Sequence, residues 1–334
     1  MRREQEQQLI GECPAFLEVL EHVSRVAPLN RPVLVIGERG TGKELVAARI
    51  HYLSGRWDHP FVKMNCAALA ESLLETELFG HEAGSFTGAT RRRLGRFELA
   101  NQGSLFLDEL ANTSHRVQEK VLRVIEYGEL ERVGGNETIR TDVRIIGATH
   151  EDLPRLAEAG TFRPDLLDRL AFDVITLPPL RERREDIMPL AEHFAVKMAG
   201  ELGLELFGGF GEAARAALLA HAWPGNVREL KNVVERAVYS AQDPQQGITD
   251  IVFDPFESPW RPRPADGDGS QAAMLPAEGP FDFKQHIQEL EIRLLRAALE
   301  QCRFNQKKTA EHLGMTYHQL RGYLRKYELT ETEE

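Results

Sequence analysis

Short apolar runs punctuate the first half of the chain: "PVLVIG" at 32–37, "FVKMN" at 61–65, "SLFLDE" at 104–109 and "VRIIGAT" at 143–149. Each is strand-sized, and the strongest are rich in β-branched residues. Between them, "ELVAARIHYL", "SHRVQEKVLRVIEYGEL" and "RPDLLDRLAF" carry the patterning of amphipathic helices. Alternation of this kind predicts an α/β sandwich with a mostly parallel sheet. From 185 to 240 the pattern turns wholly helical, in "DIMPLAEHFAVKMA", "GEAARAALLAHAW" and "NVRELKNVVERAVYS", which predicts a small helical subdomain. A stretch rich in Pro, Gly and Asp, "FDPFESPWRPRPADGDGSQAAMLPAEGP", then breaks all periodicity and reads as a flexible linker. A last helical block follows. The expected divisions are an α/β part at 1–180, a helical part at 181–242, the linker at 243–280 and a terminal module at 281–334.

A length of 334 residues exceeds one ordinary core and suits this division. The net charge of −11 argues against a chain that coats nucleic acid or membrane along its whole length. It leaves room for a basic module at one end. Cys13, Cys66 and Cys302 lie far apart and fit neither a disulfide framework nor a zinc site, so a reducing cytoplasm suits them. The N-terminus "MRREQEQQLIGE" lacks the apolar core of a signal peptide. No run approaches the roughly 18 to 20 apolar residues of a membrane span. A cytoplasmic protein without membrane insertion is expected.

"GERGTGKE" at 37–44 follows an apolar strand and opens a helix, the setting of a phosphate-binding loop. In Gly37-Glu38-Arg39-Gly40-Thr41-Gly42-Lys43-Glu44 the glycines let backbone N–H groups wrap phosphates, and Lys43 reaches the β and γ oxygens. Glu44 stands where such loops carry Ser or Thr, so magnesium has to lean on other groups and water. "SLFLDE" places Asp108 and Glu109 at the C-terminal edge of a buried strand, where open parallel sheets hold ligands. Asp108 suits a magnesium position, and Glu109 suits the orientation of an attacking water. ATP hydrolysis with ATP and Mg2+ is the expected chemistry. A different signal is "GHEAGSFTGATRRR" at 80–93, where a lone Phe86 sits among glycines ahead of three arginines. Composition alone leaves Phe86 either folded onto the core or displayed.

With these residues in place the chain resembles the AAA+ family and, within it, the bacterial enhancer-binding proteins that activate sigma-54 RNA polymerase. The likeness runs over essentially the whole chain. It rests on "GERGTGKE", "ELFGHEAGSFTGA", "GSLFLDE", "LLRVIEYGELERVGG", "FRPDLLDRL", "LPPLRERREDI" and "WPGNVRELKN". It implies an ATPase domain with a helical lid and a C-terminal Fis-type helix-turn-helix. It also implies a hexamer, dimeric when inactive, that binds upstream enhancer DNA and remodels the closed polymerase–promoter complex. The short N-terminus, without a receiver or ligand-sensing domain, resembles the phage-shock branch of the family.

The family's sigma-contacting loop matches Gly84-Ser85-Phe86-Thr87-Gly88-Ala89, with Ser85 in place of alanine, and implies an exposed Phe86. The segment 130–138 is expected beside it. Asn65 matches an asparagine that engages the water-polarising Glu109, and by residue type alone it also suits a strand-end cap. Arg163 and Arg169 match arginines that reach a neighbouring subunit's phosphates, though helix-surface ion pairs would use the same residues. Arg228 matches the lid's sensor arginine. Thr149 and His150 occupy the first-sensor position, where the family more often has Thr-Asn. Trp57 matches a tryptophan that contacts the inhibitory phage shock protein A, with a half-buried loop aromatic as the other reading.

"FNQKKTAEHLGMTYHQLRGYLRKYEL" at 304–329 has the form of two helices about a glycine turn, with Thr316 as cap and Leu320 and Leu324 inward. Lys307, Lys308, Arg321, Arg325 and Lys326 concentrate positive charge there. Thr316, Tyr317, His318, Gln319 and Arg321 are candidates to reach bases or phosphates. A different AAA+ machine, an unfoldase or loader, would explain Phe86 and the ATPase but not this module. A DNA-binding regulator with a vestigial nucleotide fold is at odds with the full set Lys43, Asp108, Glu109, Arg163 and Arg169.

Overall fold

The computed structural model describes residues 9–86, 88–241, 247–256, 261, 283–302 and 305–327. Thr87 and most of the expected linker lie outside the described residues. The chain divides into two compact units, the first ending at Phe256.

The strands of the first unit are β1 (Val33–Ile36), β2 (Phe61–Asn65), β3 (Ser104–Asp108), β4 (Glu129–Glu131), β5 (Thr138–Arg140), β6 (Arg144–Thr149) and β7 (Val174–Thr176). Around them lie α1 (Pro14–Val26), α2 (Lys43–Tyr52), α3 (Glu71–Phe79), α4 (Arg96–Leu99), α5 (His115–Tyr127), α6 (Leu153–Glu158) and α7 (Pro164–Leu170). One parallel sheet runs in the order β2-β3-β6-β1-β7, and β4 and β5 form a separate antiparallel hairpin. This is the α/β alternation expected from the apolar runs.

Helices cover both faces of the sheet, so its central strands are buried up to the end of β3 at Asp108 and read as nearly continuous apolar stretches. Successive side chains still part to opposite faces. Leu105 and Leu107 join Leu34, Phe79 and Phe97 in one core, while Phe106 joins Phe16, Val46 and Ile50 in the other. The register pairs Asn65 with Asp108 and Ile36 with Thr149. The C-terminal ends of β1, β2, β3 and β6 therefore meet at one edge of the sheet, which is where the chemistry-bearing residues lie.

Three helices, α8 (Arg184–Glu201), α9 (Glu212–Ala220) and α10 (Asn226–Ser240), form the lid. Its core includes Leu190, Leu218, Trp223, Leu230 and Val234. Ile248 is buried in that core, and Ile251 and Phe253 pack against it. The lid core thus continues past residue 242, and residues 247–256, expected in the linker from 243, include part of it. These residues were too few and too scattered to show a period. Trp223 is fully buried, and its indole N–H donates to the Leu218 carbonyl at 2.9 Å. Trp223→Ala should destabilise the lid by about 3–5 kcal/mol, the usual cost of emptying a buried aromatic site. Urea unfolding followed by circular dichroism measures it.

The second unit contains α11 (Phe283–Gln301), α12 (Gln306–His312) and α13 (Tyr317–Lys326). Leu295, Leu299, Ala310, Leu320 and Leu324 form its core. Asn305 caps α12, accepting from Lys308 N–H at 3.2 Å. Thr316 caps α13 in a reciprocal box with Gln319, at 3.3 and 2.9 Å. Gly314, at φ +65°, supplies the left-handed turn between the two helices. Among the described residues no helix is long and apolar enough to cross a membrane.

Candidate active site

β1 ends at Ile36 and the chain turns through 37–42 into α2. Gly40 and Gly42 hold φ of +80° and +100°, which a side chain would strain. At Gly40 a Cβ would also lie 2.3 Å from the Gly225 carbonyl oxygen. Thr41 Oγ1 donates to the Glu38 carbonyl at 2.8 Å, closing the turn from within. Lys43 Nζ donates to the carbonyls of Gly37 and Glu38 at 2.8 and 3.2 Å. Burial pulls its pKa below the usual lysine range, against the opposing pull of Glu109 and Asp108. Glu44 turns outward to Lys63, at 3.1 Å.

At the neighbouring strand ends, Asn65 Nδ2 donates to Asp108 Oδ2 at 3.3 Å, and Asn65 Oδ1 accepts from Ala67 N–H at 2.9 Å. Burial, with the charge of Glu109 beside it, raises the Asp108 carboxyl above its ordinary range. Such a carboxylate gains from a facing cation. Glu109 has a left-handed backbone, φ +53°, and its carboxylate accepts from His150 Nδ1 at 2.7 Å. His150 Nε2 lies 3.2 Å from Glu151 Oε1. The engagement of Glu109 by Asn65 that the resemblance implied is therefore not the arrangement in this structure. Asn65 is occupied by Asp108 and Ala67, and the imidazole at the end of β6 reaches Glu109 instead. Thr149 is buried, with its carbonyl accepting from Gly37 N–H at 3.2 Å.

A cavity of about 770 Å³ opens over these groups. Lys43, Asp108 and Glu109 line it from the sheet side, and Phe194, Val227 and Arg228 from the lid. Arg228 is tied to the phosphate loop by its backbone N–H, which donates to the Gly40 carbonyl at 3.3 Å. Ile10 and Phe16 also line the cavity, a contribution that no motif or spacing announced. Asp186 on α8 accepts from the N–H groups of Glu12 and Cys13 at 2.6 and 2.9 Å, and Arg183 lies 3.6 Å over the Phe16 ring. The segment ahead of α1 is thereby fastened to the lid.

Sequence reasoning also missed the partners of Glu38. Arg181 donates to its two oxygens at 2.6 and 2.9 Å, and Asn226 donates to one at 3.0 Å. Arg181 first, then Asn226, holds the Glu38 carboxyl down at about 2. A depressed folded pKa contributes stability above the ordinary value of 4.5, and that contribution fades as pH falls towards about 2. Glu38→Gln should therefore be less stable than the parent at neutral pH, with the two acid-unfolding curves drawing together below pH 4.5. Thermal melts across that range check it.

The loop containing Phe86 leaves α3 through a bridge from His81 to Arg93 on one side and Val133 on the other. Gly84 N–H donates to the Ala89 carbonyl at 2.7 Å, and Gly84 and Gly88 take φ of +82° and +103°. Phe86 is 44% exposed, its ring edge-on to His81 at 5.0 Å. Ala89 is buried, and Ser85 Oγ donates to the Glu82 carbonyl at 2.8 Å. The tip of the β4–β5 hairpin lies beside this loop: a Cβ at Gly134 would sit 2.4 Å from that of Ser85. Buried Arg132 joins the two, pairing with Glu82 at 2.8 Å and with Glu98 at 2.5 Å. The spacing of charges along the chain showed nothing of this triad.

Arg163 stands just before α7 and pairs with Asp165 at 2.6 Å, while Arg169 in its last turn pairs with Glu126 at 2.9 Å. Neither lines the cavity formed by the described residues of its own chain. Trp57 is 63% exposed, on the turn after α2. In the second unit Lys307, Lys308, Thr316, Tyr317, His318, Gln319, Arg321 and Arg325 are all exposed. Gln319 already commits its side-chain oxygen to the Thr316 cap, and Lys326 is drawn to Glu291 at 3.6 Å.

A phosphate loop, two acids on a strand end and a lid arginine converging on one cavity define an AAA+ ATPase. The sigma-54 interaction domain family matches residues 9–176, the AAA+ ATPase lid domain 181–258, and the Fis family of bacterial regulatory proteins 287–327. The chain belongs to the sigma-54 interaction family: it is an ATP-binding transcriptional activator with a DNA-binding helix-turn-helix. It is 57% identical to the Psp operon transcriptional activator of Escherichia coli K12, over 96% of this chain and 98% of that protein. The Nif-specific regulatory protein of Azotobacter vinelandii is 45% identical over 94% of this chain, which spans 58% of that longer protein. Among solved structures, NtrX from Brucella abortus in complex with ATP superposes with a TM-score of 0.69 at 35% identity, covering 96% of this chain and 69% of that one.

Proposed function

We propose that the protein is a cytoplasmic phage-shock activator that works as a hexamer, binding enhancer DNA and coupling ATP cleavage between subunits to movement of the Phe86 loop. In this reading the loop remodels the closed sigma-54 polymerase–promoter complex. The observation that carries it is the division of the site. Lys43, Asp108, Glu109 and Arg228 line one cavity, whereas Arg163 and Arg169 lie outside it on α7. Cleavage of a phosphoanhydride needs cations on the developing charge, and a second subunit is a natural source.

Lys43 would hold the β and γ oxygens, Glu109 would orient the attacking water, and Arg228 would report on the γ position from the lid. Magnesium is supported by the donor set: one half-buried carboxylate, Asp108, with an amide beside it. Magnesium sites of this class use one or two carboxylates with substrate phosphates, not an all-protein cage. When bound, the ion would neutralise phosphate charge in the transition state. In the separate chain Arg163 and Arg169 are held by Asp165 and Glu126, and in a ring they would exchange those partners for phosphate. Exposed Phe86, Trp57 and the basic face of α12 and α13 support contacts with sigma-54, phage shock protein A and DNA respectively.

A mixing experiment tests the shared site. Arg169→Ala alone should lose about a thousandfold in turnover, the usual worth of a trans arginine. Lys43→Ala alone should also be inactive. Mixed rings contain interfaces with one intact Lys43 and one intact Arg169, so part of the activity should return on mixing. Arg169→Ala that turns over normally by itself would dismiss the trans role.

A further inference from the structure

Asn226 begins α10 two residues ahead of Arg228 and is fully buried, with a left-handed φ of +54°. Asparagine, aspartate and glycine tolerate that backbone; other residues are strained by it. Every polar atom of its side chain is used. Oδ1 accepts from Leu180 N–H at 2.8 Å, and Nδ2 donates to Glu38 Oε2 at 3.0 Å and to the Arg39 carbonyl at 3.1 Å. Its backbone N–H donates to the Trp223 carbonyl at 2.9 Å.

The amide cannot be turned over. A flip would set its oxygen against a carboxylate and a carbonyl, and its NH2 against an N–H. The three partners also come from separated parts of the chain: Glu38 and Arg39 from the phosphate loop, Leu180 from the segment that follows β7 into the lid. The same junction holds two further contacts: Arg181 clamps Glu38, and Gly40 meets the Gly225 carbonyl with no room for a Cβ. The loop thus takes part of its shape from the lid, through one side chain that donates twice and accepts once.

We propose that Asn226 is a positioning residue for nucleotide binding: its amide sets the phosphate loop, the entry to the lid and the start of α10 in one register. This rests on the reading of 37–44 as the phosphate site for ATP. The substitution Asn226→Asp would keep the shape and the backbone preference while placing oxygens against Glu38 and the Arg39 carbonyl. The loop would lose its brace although Arg228 and Lys43 remain in place.

The test is titration of the full chain with a fluorescent, non-hydrolysable ATP analogue. N226D should weaken binding about tenfold or more, the worth of one hydrogen bond to a charged group. The KM for ATP should rise by more than kcat falls. Adding E38Q to N226D sets an amide against the new carboxylate and should restore part of the affinity, with the bond to the Arg39 carbonyl still lost, a recovery that a merely structural defect would not allow. N226G keeps the left-handed backbone without the amide, so it should weaken binding similarly and gain nothing from E38Q. Parent protein that binds the analogue alongside N226D and N226G of equal affinity overturns the inference alone, as does an N226D/E38Q pair no better than N226D. Parent protein that fails to bind the analogue overturns the phosphate-site reading and the inference with it.

Discussion

Lys43→Ala reduces ATP turnover by at least about a hundredfold, since removing one preorganised cation or donor from a transition state commonly costs that much. Transcription activation falls with it, while binding to upstream DNA stays intact. The reasoning starts from position. Lys43 is the first residue of α2, its ammonium is held within the phosphate loop by the Gly37 and Glu38 carbonyls, and burial has already pulled its pKa down. An ammonium so placed is short of solvent, and phosphate oxygens offer it stronger acceptors than two neutral carbonyls. Phosphate-release kinetics and a gel-shift titration separate the two effects. The DNA-binding candidates belong to the second compact unit, whose core of Leu295, Leu299, Ala310, Leu320 and Leu324 owes nothing to Lys43. Loss of DNA binding in this variant would show that the two units do not act separately.

Phe86→Ala gives the opposite division: turnover stays within about twofold, and activation is lost. A well-placed aromatic anchor at an interface is worth about 2–4 kcal/mol, or about 30- to 1000-fold in affinity. Phe86 has nearly half its surface exposed, and among the described residues the ring contact it makes is edge-on to His81. Removing it leaves the backbone turn in place, because that turn is made by Gly84 with Ala89 and by Ala89 with Phe86 through main-chain bonds. In vitro transcription from a sigma-54 promoter, run beside the ATPase assay, reads both quantities. Unchanged activation would remove Phe86 from the working surface.

Much of the fold was legible because burial on both faces leaves a plain mark. "SLFLD" and "VRIIGAT" could hardly be anything but central strands of a covered sheet. The phosphate loop was legible for a similar reason: glycine is required where φ turns positive, and a lysine directly after it opens a helix. The terminal module declared itself through Thr316, Gly314 and the inward leucines. Contacts between distant segments were not legible. Periodicity tells which face of an element is buried and is silent on what covers it. Asp186 meets residues 12 and 13, more than 170 positions away in the chain, and Arg132 finds Glu82 and Glu98 on two different segments. Resemblance pointed to Arg228 but passed over Asn226, whose value depends on a backbone angle and three partners that no spacing displays. The same limit explains Asn65 and His150. Both lie on the strand-end edge, yet which of them meets Glu109 is decided by the left-handed backbone at Glu109 and the reach of an imidazole.

Nucleotide-dependent capture of purified sigma-54 weighs the coupling of phosphate state to the aromatic loop most directly. With ADP and aluminium fluoride mimicking the transition state, the parent protein should form a stable complex, and with ADP alone it should not. Phe86→Ala should trap the nucleotide mimic and fail to hold sigma-54. Capture of equal strength with and without the mimic, or undiminished in Phe86→Ala, would contradict a loop driven by ATP cleavage.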